Sequence, residues 1–445
     1  MRAATRSALV GSWRTAAAWL GALLLLAPAL SHGEMPARRA EQLLSVDATA
    51  PVAPPVTGYL RMGTSRSPDG RTLGVNSSYL TLDGRPWLPV MGEFHYWRVP
   101  AADWDEELAK VEAAGVDIVS TYVYWSYQEP AAGRFDWRGR HDLRRFVGLC
   151  RRHGLKVILR LGPWIHAETR FGGLPDWLVG LTPTRSNDPV YLRYVARYFD
   201  RIGYQMRGLL WKDGGPIIGV QLGNEYHLTG PGQGRAHVAM LKRLAVSAGF
   251  DVPFYTVTAW DNAVYPARQV MPMYGGYPGL PWDSSAARLP PNEVYAFRFR
   301  SRVTGDTGAA ALAAETAGDA ARDAGETPFL AAELGGGLPA MYRRRLLATP
   351  DDIASMLVVQ IGSGVNLYGY YMFHGGVNPR GGPWEETTAS GGYNDVPRRD
   401  YDFQAPLGAF GQQRAVLGKL RMVHLLLHAF GAQLAPMPVR RPASP

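Results

Sequence analysis

The chain holds a single cysteine, Cys150, in 445 residues. One cysteine excludes a disulfide scaffold and any site built from several thiolates. No cluster of His, Cys, Asp and Glu has metal-ligand spacing, so no metal is expected. No Walker loop and no GxGxxG fingerprint lies between a strand-like and a helical run, so no nucleotide cofactor is expected. Charged residues make up only 19% and form no Lys/Arg run. The net charge of +9 is spread along the chain, which argues against nucleic acid as a partner. No internal repeat occurs. What is present is 46% apolar residues, enough for a large core. That excludes a disordered chain, a coiled coil and a collagen-like repeat.

An apolar, uncharged run, Ala16–Leu30, follows Arg2, Arg6 and Arg14. A bilayer span needs about 20 apolar residues, and this run is shorter. It reads as the core of a secretory signal peptide over 1–31, with the small residues Ala29 and Ser31 at the cleavage site. Export to the periplasm or beyond is expected, with no stable membrane insertion after cleavage. Cleavage removes three arginines and no acid, taking +9 to +6. Residues 32–67 are rich in Pro and Ala, lack hydrophobic periodicity, and read as a linker. Residues 68–435 form the one large domain, and 436–445 a tail.

Within 71–90, Asp83-Gly84 separates two short strand-like runs and reads as a hairpin. Eight apolar runs then alternate with helical patterns. The runs are 88–94, 117–125, 156–164, 216–226, 253–260, 269–275, 328–336 and 365–376. Helical patterns occupy 101–114, 141–153, 189–210, 234–248, 292–304, 351–361 and 411–430. The runs are apolar on both faces, as parallel strands covered by helices should be. The expected fold is α/β: a (β/α)8 TIM barrel with an N-terminal β-hairpin. Asp188-Pro189 is a cap and first-turn pair for the third helix. Cys150 shares a helical stripe with Leu143, Phe146 and Val147 and is expected in the core.

Catalytic groups of such barrels sit at the C-terminal ends of the strands. There the sequence places Glu93 and His95, Tyr122 and Trp125, Glu168, Asn224-Glu225, Trp260, Glu333 and His374. Hydrolysis of a glycosidic bond needs two carboxyl groups, one protonating the leaving oxygen and one attacking the anomeric carbon. Glu225 ends run four and Glu333 ends run seven, which face each other across an eight-stranded mouth. Desolvation and a neighbouring carboxylate would raise the pKa of Glu225, suiting it to general acid work. Glu333 precedes Gly335, Gly336 and Gly337, expected to leave room for a sugar ring, which suits a nucleophile. An ion pair at the rim is the alternative for each. Trp125, Trp164, Trp260 and Trp282 follow strands; Trp260 is the first candidate for stacking on a sugar, with packing as the alternative. His95 and His374 are expected as hydrogen-bonded rim histidines, and Arg98 and Arg160 as partners of inward carboxylates.

The stretches GEFHYWRVP (92–100), TYVYWSYQEP (121–130), GRFDWRG (133–139), LRLGPWIHAETRFGGLPDWL (159–178), GGPIIGVQLGNEY (214–226) and YYMFHGGVNP (370–379) run in one order. With them the chain resembles glycoside hydrolase family 35, the β-galactosidases, over roughly residues 75–435. The resemblance implies a (β/α)8 barrel with catalytic glutamates ending strands four and seven. It implies a retaining exo-β-galactosidase that uses no cofactor and acts on carbohydrate with terminal β-galactose. Glu225 would be the acid/base and Glu333 the nucleophile. Asn224 would bind the sugar 2-hydroxyl. Tyr122 and Glu168 would hold galactose hydroxyls, Ala167 would offer backbone contacts, and Tyr401 lies in a stretch that faces the site.

There are departures. Where many members read RPGPYICAEW, this chain has Leu161, Trp164, His166 and Thr169; where many have a second Tyr it has Phe403, and Ala409 stands for a usual Glu. These bear on leaving-group and linkage preference. Most members continue into β-sandwich domains, whereas this sequence stops at Pro445: a barrel alone, or a shortened chain. The competing readings are a catalytically silent sugar-binding protein on the same fold, and an exo-glycosidase for another sugar. The oligomeric state is not legible.

Overall fold

The computed structural model describes residues 46–47, 49, 51–58, 60, 62–257, 263–283, 293–297, 302, 326–390, 392 and 394–440. The leader over 1–31, Trp260 and most of the helical pattern 292–304 lie outside them. The chain divides into two units, Val52–Val439 and Met1–Pro51 with Arg440–Pro445. In the smaller unit, Thr49 N donates to Asp47 Oδ1 at 2.8 Å, a local turn. The larger unit holds the barrel.

Asp83 (φ +54°) and Gly84 (φ +74°) make the two-residue turn that needs positive φ at both positions. It joins β2 (Leu80–Leu82) to β3 (Arg85–Trp87). The expected hairpin gains a third strand, because β1 (Leu73–Val75) pairs antiparallel with β2.

The barrel strands are β4 (Val90–Phe94), β5 (Ile118–Tyr122), β6 (Lys156–Gly162) and β7 (Ile217–Leu222), then β8 (Phe254–Val257), β9 (Met271–Gly276), β10 (Leu330–Gly335) and β11 (Leu367–His374). One falls in each expected run. All pair in parallel, and β11 closes onto β4. Among the described residues the α-helices are α1 (Trp104–Ala113), α2 (Trp125–Gln128), α3 (Leu143–Arg152), α4 (Asp176–Val179), α5 (Pro189–Gln205), α6 (Arg235–Ser247), α7 (Pro350–Gly362) and α8 (Ala415–Leu434). Asp188 caps α5 by accepting from Val190 N and Tyr191 N, with Pro189 in the first turn, as the sequence indicates. Cys150 is buried on α3 with Leu143, Phe146 and Val147, and burial pushes its thiol pKa up. Among the described residues, α8 is long and apolar enough to cross a membrane. Its Val416, Leu420, His424, Leu427 and Gly431 are buried.

Strand side chains alternate between faces, and two apolar layers result. Val157, Leu159 and Leu161 of β6 join the layer of buried residues shared with the helices, such as Phe146 and Phe199. Ile158 packs inside the barrel with Met91, Ile118, Ile218, Leu330 and Leu367, above Met62, Leu80 and Trp211. Ser65, at the end of the 32–67 stretch, accepts from Trp211 Nε1 at 3.0 Å, and Thr64 Oγ1 donates to Asp251 Oδ2 at 2.7 Å. Those last residues therefore lie against the barrel.

Two residues further along the inward faces of β4, β5 and β6, the chemistry changes. Met91 is followed by Glu93, Ile118 by Ser120, and Ile158 by Arg160, all buried. The interior is thus apolar below and polar at the C-terminal mouth. Glu333 needs a further device. Leu330 and Ala332 pack inside while Ala331 and Leu334 pack outside, so plain alternation would turn Glu333 outward. The register shifts between Ala331 and Glu333 against β9, and between Ala331 and Leu334 against β11. A bulge of this kind re-aims a side chain, and Glu333 lines the mouth.

The glycines after Glu333 have a different cause from the expected one. A Cβ at Gly336 would stand 2.0 Å from Met372 O, and one at Gly337 would stand 2.2 Å from Phe403 O. They let backbone pack on backbone. Gly335 instead lies under side chains, where a Cβ would stand 2.8 Å from Pro278 Cδ and 3.0 Å from Tyr277 Cδ1.

Candidate active site

Arg160 is the hub. Its side chain is 0% exposed, as is that of Glu93, to which its Nη1 donates at 3.0 Å. Its Nη2 donates to Asn224 Oδ1 at 3.0 Å and, by a shorter bond, to Glu333 Oε1. The guanidinium lies 3.7 Å from the centre of the Tyr122 ring. Burial opposes the cation, but Glu93, Tyr122 and Glu333 outweigh it and raise the Arg160 pKa. The expected pairing of Arg160 with an inward carboxylate is met twice over.

Glu93 shows the reverse balance. Burial pushes its carboxyl up, yet Arg160 and His95 hold it down at about 2. His95 Nε2 lies 3.2 Å from Glu93 Oε1, and burial first of all lowers that histidine to about 4. Arg98 differs from expectation. It donates to Asn378 Oδ1 at 2.8 Å and to Ala167 O at 2.8 Å, and meets His95 Nδ1 at 2.7 Å. It also stacks 3.3 Å from the Tyr401 ring. A carbonyl, an amide and an aromatic face fill the place of the carboxylate. His374 sits off the site, with Nε2 2.8 Å from Glu107 Oε2 and Nδ1 2.6 Å from Gly375 O.

One pocket at the barrel mouth is lined by Tyr122, Ala167, Glu168, Asn224, Glu225 and Glu333. The structure therefore brings six of the eight site residues from the sequence together. Tyr401 reaches the site indirectly, donating from its hydroxyl to Glu168 Oε2 and meeting Tyr371 at 2.9 Å. Trp260 is outside the described residues. Tyr122 donates to Glu333 Oε1 at 3.4 Å, and Tyr277 donates to Glu333 Oε2 at 3.4 Å. Trp125 is core, stacked 4.4 Å from Tyr198, whereas Trp282 lines the pocket.

His166, Tyr277, Tyr371, Glu386 and Asn394 also line it. Sequence reasoning did not assign them to the site. Tyr277 and Trp282 share one signal, an aromatic just past run six. Glu386 and Asn394 sit in a polar loop after run eight whose composition matches any solvated surface.

Backbone strain gathers here. His166, Ala167, Glu168, Phe171 and Glu225 all have φ between +44° and +52°. The left-handed region costs a non-glycine residue about 1–2 kcal/mol, and such outliers persist where the surroundings over-determine them. Ala167 O is fixed by Arg98, and Glu168 O accepts from Glu386 N at 2.9 Å. The strained loop presents Glu168 to the pocket.

Glu168 is shifted towards neutral pH. Burial raises its carboxyl to about 7, with Glu386 and Glu333 adding to the rise and the Tyr401 bond and Arg98 opposing it. Folded Glu168 binds a proton more tightly than the unfolded chain does. Its contribution is therefore full below about pH 4.5 and declines until about pH 7. Across that window, wild type should lose about 3 kcal/mol relative to Glu168→Gln, which stays neutral. Urea unfolding of both proteins from pH 4.5 to 8 checks this. Parallel curves would refute it.

The family model for glycosyl hydrolases family 35 matches residues 79–427. A β-galactosidase of Xanthomonas manihotis is 40% identical over 182 residues, 40% of this chain and 30% of that protein. A β-galactosidase of Bos taurus is 44% identical over 146 residues, 32% of this chain and 22% of that protein. The matched stretches thus span less than a third of either relative. A β-galactosidase structure from Rahnella sp. R3 superposes with TM-score 0.51 at 12% identity, covering 79% of this chain and 58% of that one. An exo-β-1,4-mannosidase from Opitutaceae bacterium strain TAV5 superposes with TM-score 0.50 at 16% identity, covering 80% and 62%. Those two likenesses concern the fold, whereas the family model spans the barrel and its mouth: the chain belongs to glycosyl hydrolases family 35.

Proposed function

We propose that this protein is a retaining β-galactosidase that removes terminal β-galactosyl residues. The observation that carries the reading is the meeting of Glu225 and Glu333, from opposite barrel strands, in one pocket with Asn224, Tyr122 and Glu168. Glu333 is the nucleophile. Arg160 and Tyr122 engage its Oε1, and Oε2, which receives the 3.4 Å bond from Tyr277, attacks the anomeric carbon. As that bond forms, Glu225 gives its proton to the leaving glycosidic oxygen. Glu225, now ionised, takes a proton from water; the water oxygen attacks the anomeric carbon and Glu333 departs. Asn224 supports the sugar 2-hydroxyl, Tyr122 and Glu168 hold further hydroxyls, and Ala167 offers its backbone. Tyr401 acts through Glu168, and Trp260 is the candidate platform for the sugar face. The Arg-led apolar leader over 1–31 supports export, to the periplasm or beyond, as the destination.

Turnover of an aryl β-galactoside, set beside the matching β-glucoside, tests the reading. The galactoside should win by at least about 10²-fold, because a buried donor or acceptor built for the axial hydroxyl is left unpaired by the epimer. Equal rates would favour a different sugar. A folded protein inert on both would favour a binding role.

A further inference from the structure

The orientation of Asn224 can be traced from a group that only donates. A guanidinium has no acceptor. Arg160 Nε donates to Gln221 Oε1, so Gln221 directs its Nε2 to Gly223 O at 2.7 Å and Asn224 Oδ1 at 3.0 Å. Arg160 Nη2 donates to the same Asn224 Oδ1. With two donors on its oxygen, the Asn224 amide must turn Nδ2 the other way. There His166 Nδ1 lies 3.0 Å off. An amide NH₂ only donates, so His166 Nδ1 carries no proton and the ring is neutral, protonated on Nε2.

We propose that His166 is a positioning residue for glycoside cleavage: its unprotonated Nδ1 holds one Nδ2–H of Asn224 and thereby aims the other at the sugar 2-hydroxyl. The inference rests on the β-galactosidase reading above. His166 lines the same pocket as Asn224 and Glu225 and stands on the left-handed backbone at φ +51°. It is also one of the positions where the chain departs from the family pattern. Its Nδ1 is 3.7 Å from Glu225 Oε2. A proton there would confront the Asn224 NH₂ and pair with the Glu225 carboxylate, removing both the 2-hydroxyl donor and the general acid. The surroundings oppose that proton. Burial lowers the His166 pKa well below the usual value, and Arg185, His227 and Arg160 lower it further.

Two variants separate this role from packing. His166→Asn places an amide oxygen near the Nδ1 position and suits a left-handed backbone. His166→Met is of similar size and offers no comparable acceptor. Each is compared with wild type on an aryl β-galactoside and on its 2-deoxy analogue. On the galactoside, His166→Met should lose about tenfold to hundredfold in kcat/KM. On the 2-deoxy substrate its loss should shrink to about twofold or less, since the contact it serves is gone. His166→Asn should stay within about threefold of wild type on both. Nitrogen-15 NMR of wild type, assigned by the signal His166→Asn removes, should show Nδ1 unprotonated near neutral pH. Equal losses of His166→Met on both substrates, or a protonated Nδ1, would overturn the inference and leave the galactosidase reading standing. A wild type that turns over neither substrate would overturn that reading and the inference with it.

Discussion

Glu225→Ala is expected to lower turnover of phenyl β-galactoside by about 10³-fold, within the range that a positioned general acid supplies. On a dinitrophenyl galactoside, whose leaving group departs without a proton, formation of the galactosyl-enzyme should continue at close to the wild-type rate. Hydrolysis of that intermediate would then be slow, because no base activates water. Added azide needs no base and should restore turnover, yielding β-galactosyl azide. The reason is positional. Glu225 follows β7, and Arg185 Nη2 donates to Asn224 O at 3.0 Å beside it. Glu225 stands on a left-handed turn (φ +44°) and lines the pocket that Glu333 also lines. A rate series over aryl leaving groups of graded pKa is the measurement. A loss of the same size for every leaving group would remove Glu225 from the acid role.

Arg160→Met should destabilise the fold by about 3–5 kcal/mol, because it strips the partner from buried carboxylates. Glu93 and Glu333 are 0% and 4% exposed, and both lean on the same guanidinium. Two carboxylates left without it would repel each other, so one should take up a proton at neutral pH. If Glu333 takes it, the proposed nucleophile is lost; turnover should fall at least about 10²-fold. Arg160→Lys keeps the charge but cannot bridge both acids and Asn224 with one planar fork, so it should recover part of the stability and less of the rate. Adding Glu93→Gln to Arg160→Met removes one stranded charge and should return about 1–3 kcal/mol. Urea unfolding of the single and double variants checks the coupling. An Arg160→Met protein within about 1 kcal/mol of wild type would show that the pair is not an energetic hub.

The barrel was legible because parallel strands covered on both faces leave apolar runs that nothing interrupts, and eight of them alternate with helical stripes. Helix limits were less so. The pattern 411–430 becomes 415–434 because Gly408 N and Arg414 N are tied to Gln412 O and Pro406 O in a tight turn before the helix starts. At its far end Gly431, a residue that usually closes a helix, stays inside it; a Cβ there would lie 3.4 Å from Leu88 Cβ, so it packs on Leu88.

In the site, the two glutamates could be placed from strand ends alone. That Glu333 needs a bulge to face inward could not, since a register shift depends on both neighbouring strands. Arg160 was legible as a partner of carboxylates. Its grip on Glu93, Glu333, Gln221 and Asn224 together depends on β4, β7 and β10 meeting β6. Arg98 hydrogen-bonds an amide and a carbonyl in place of the expected carboxylate for the same reason: its partners come from the loops bearing Ala167 and Asn378. Glu386 and Asn394 had no signal at all, because a loop laid over a barrel mouth has no period to betray which side chains turn inward.

In the proposed reaction Glu333 attacks the anomeric carbon of a galactoside. Incubation with a 2-deoxy-2-fluoro-β-galactoside bearing a good leaving group, followed by mass spectrometry of the peptides, tests it directly. The fluorine destabilises the second, hydrolytic transition state, so the covalent intermediate should accumulate. One fluorogalactosyl label per chain is expected, on Glu333, and none on Glu333→Gln. A label on Glu168 or Glu225, or release of the leaving group with no label on the protein, would contradict it.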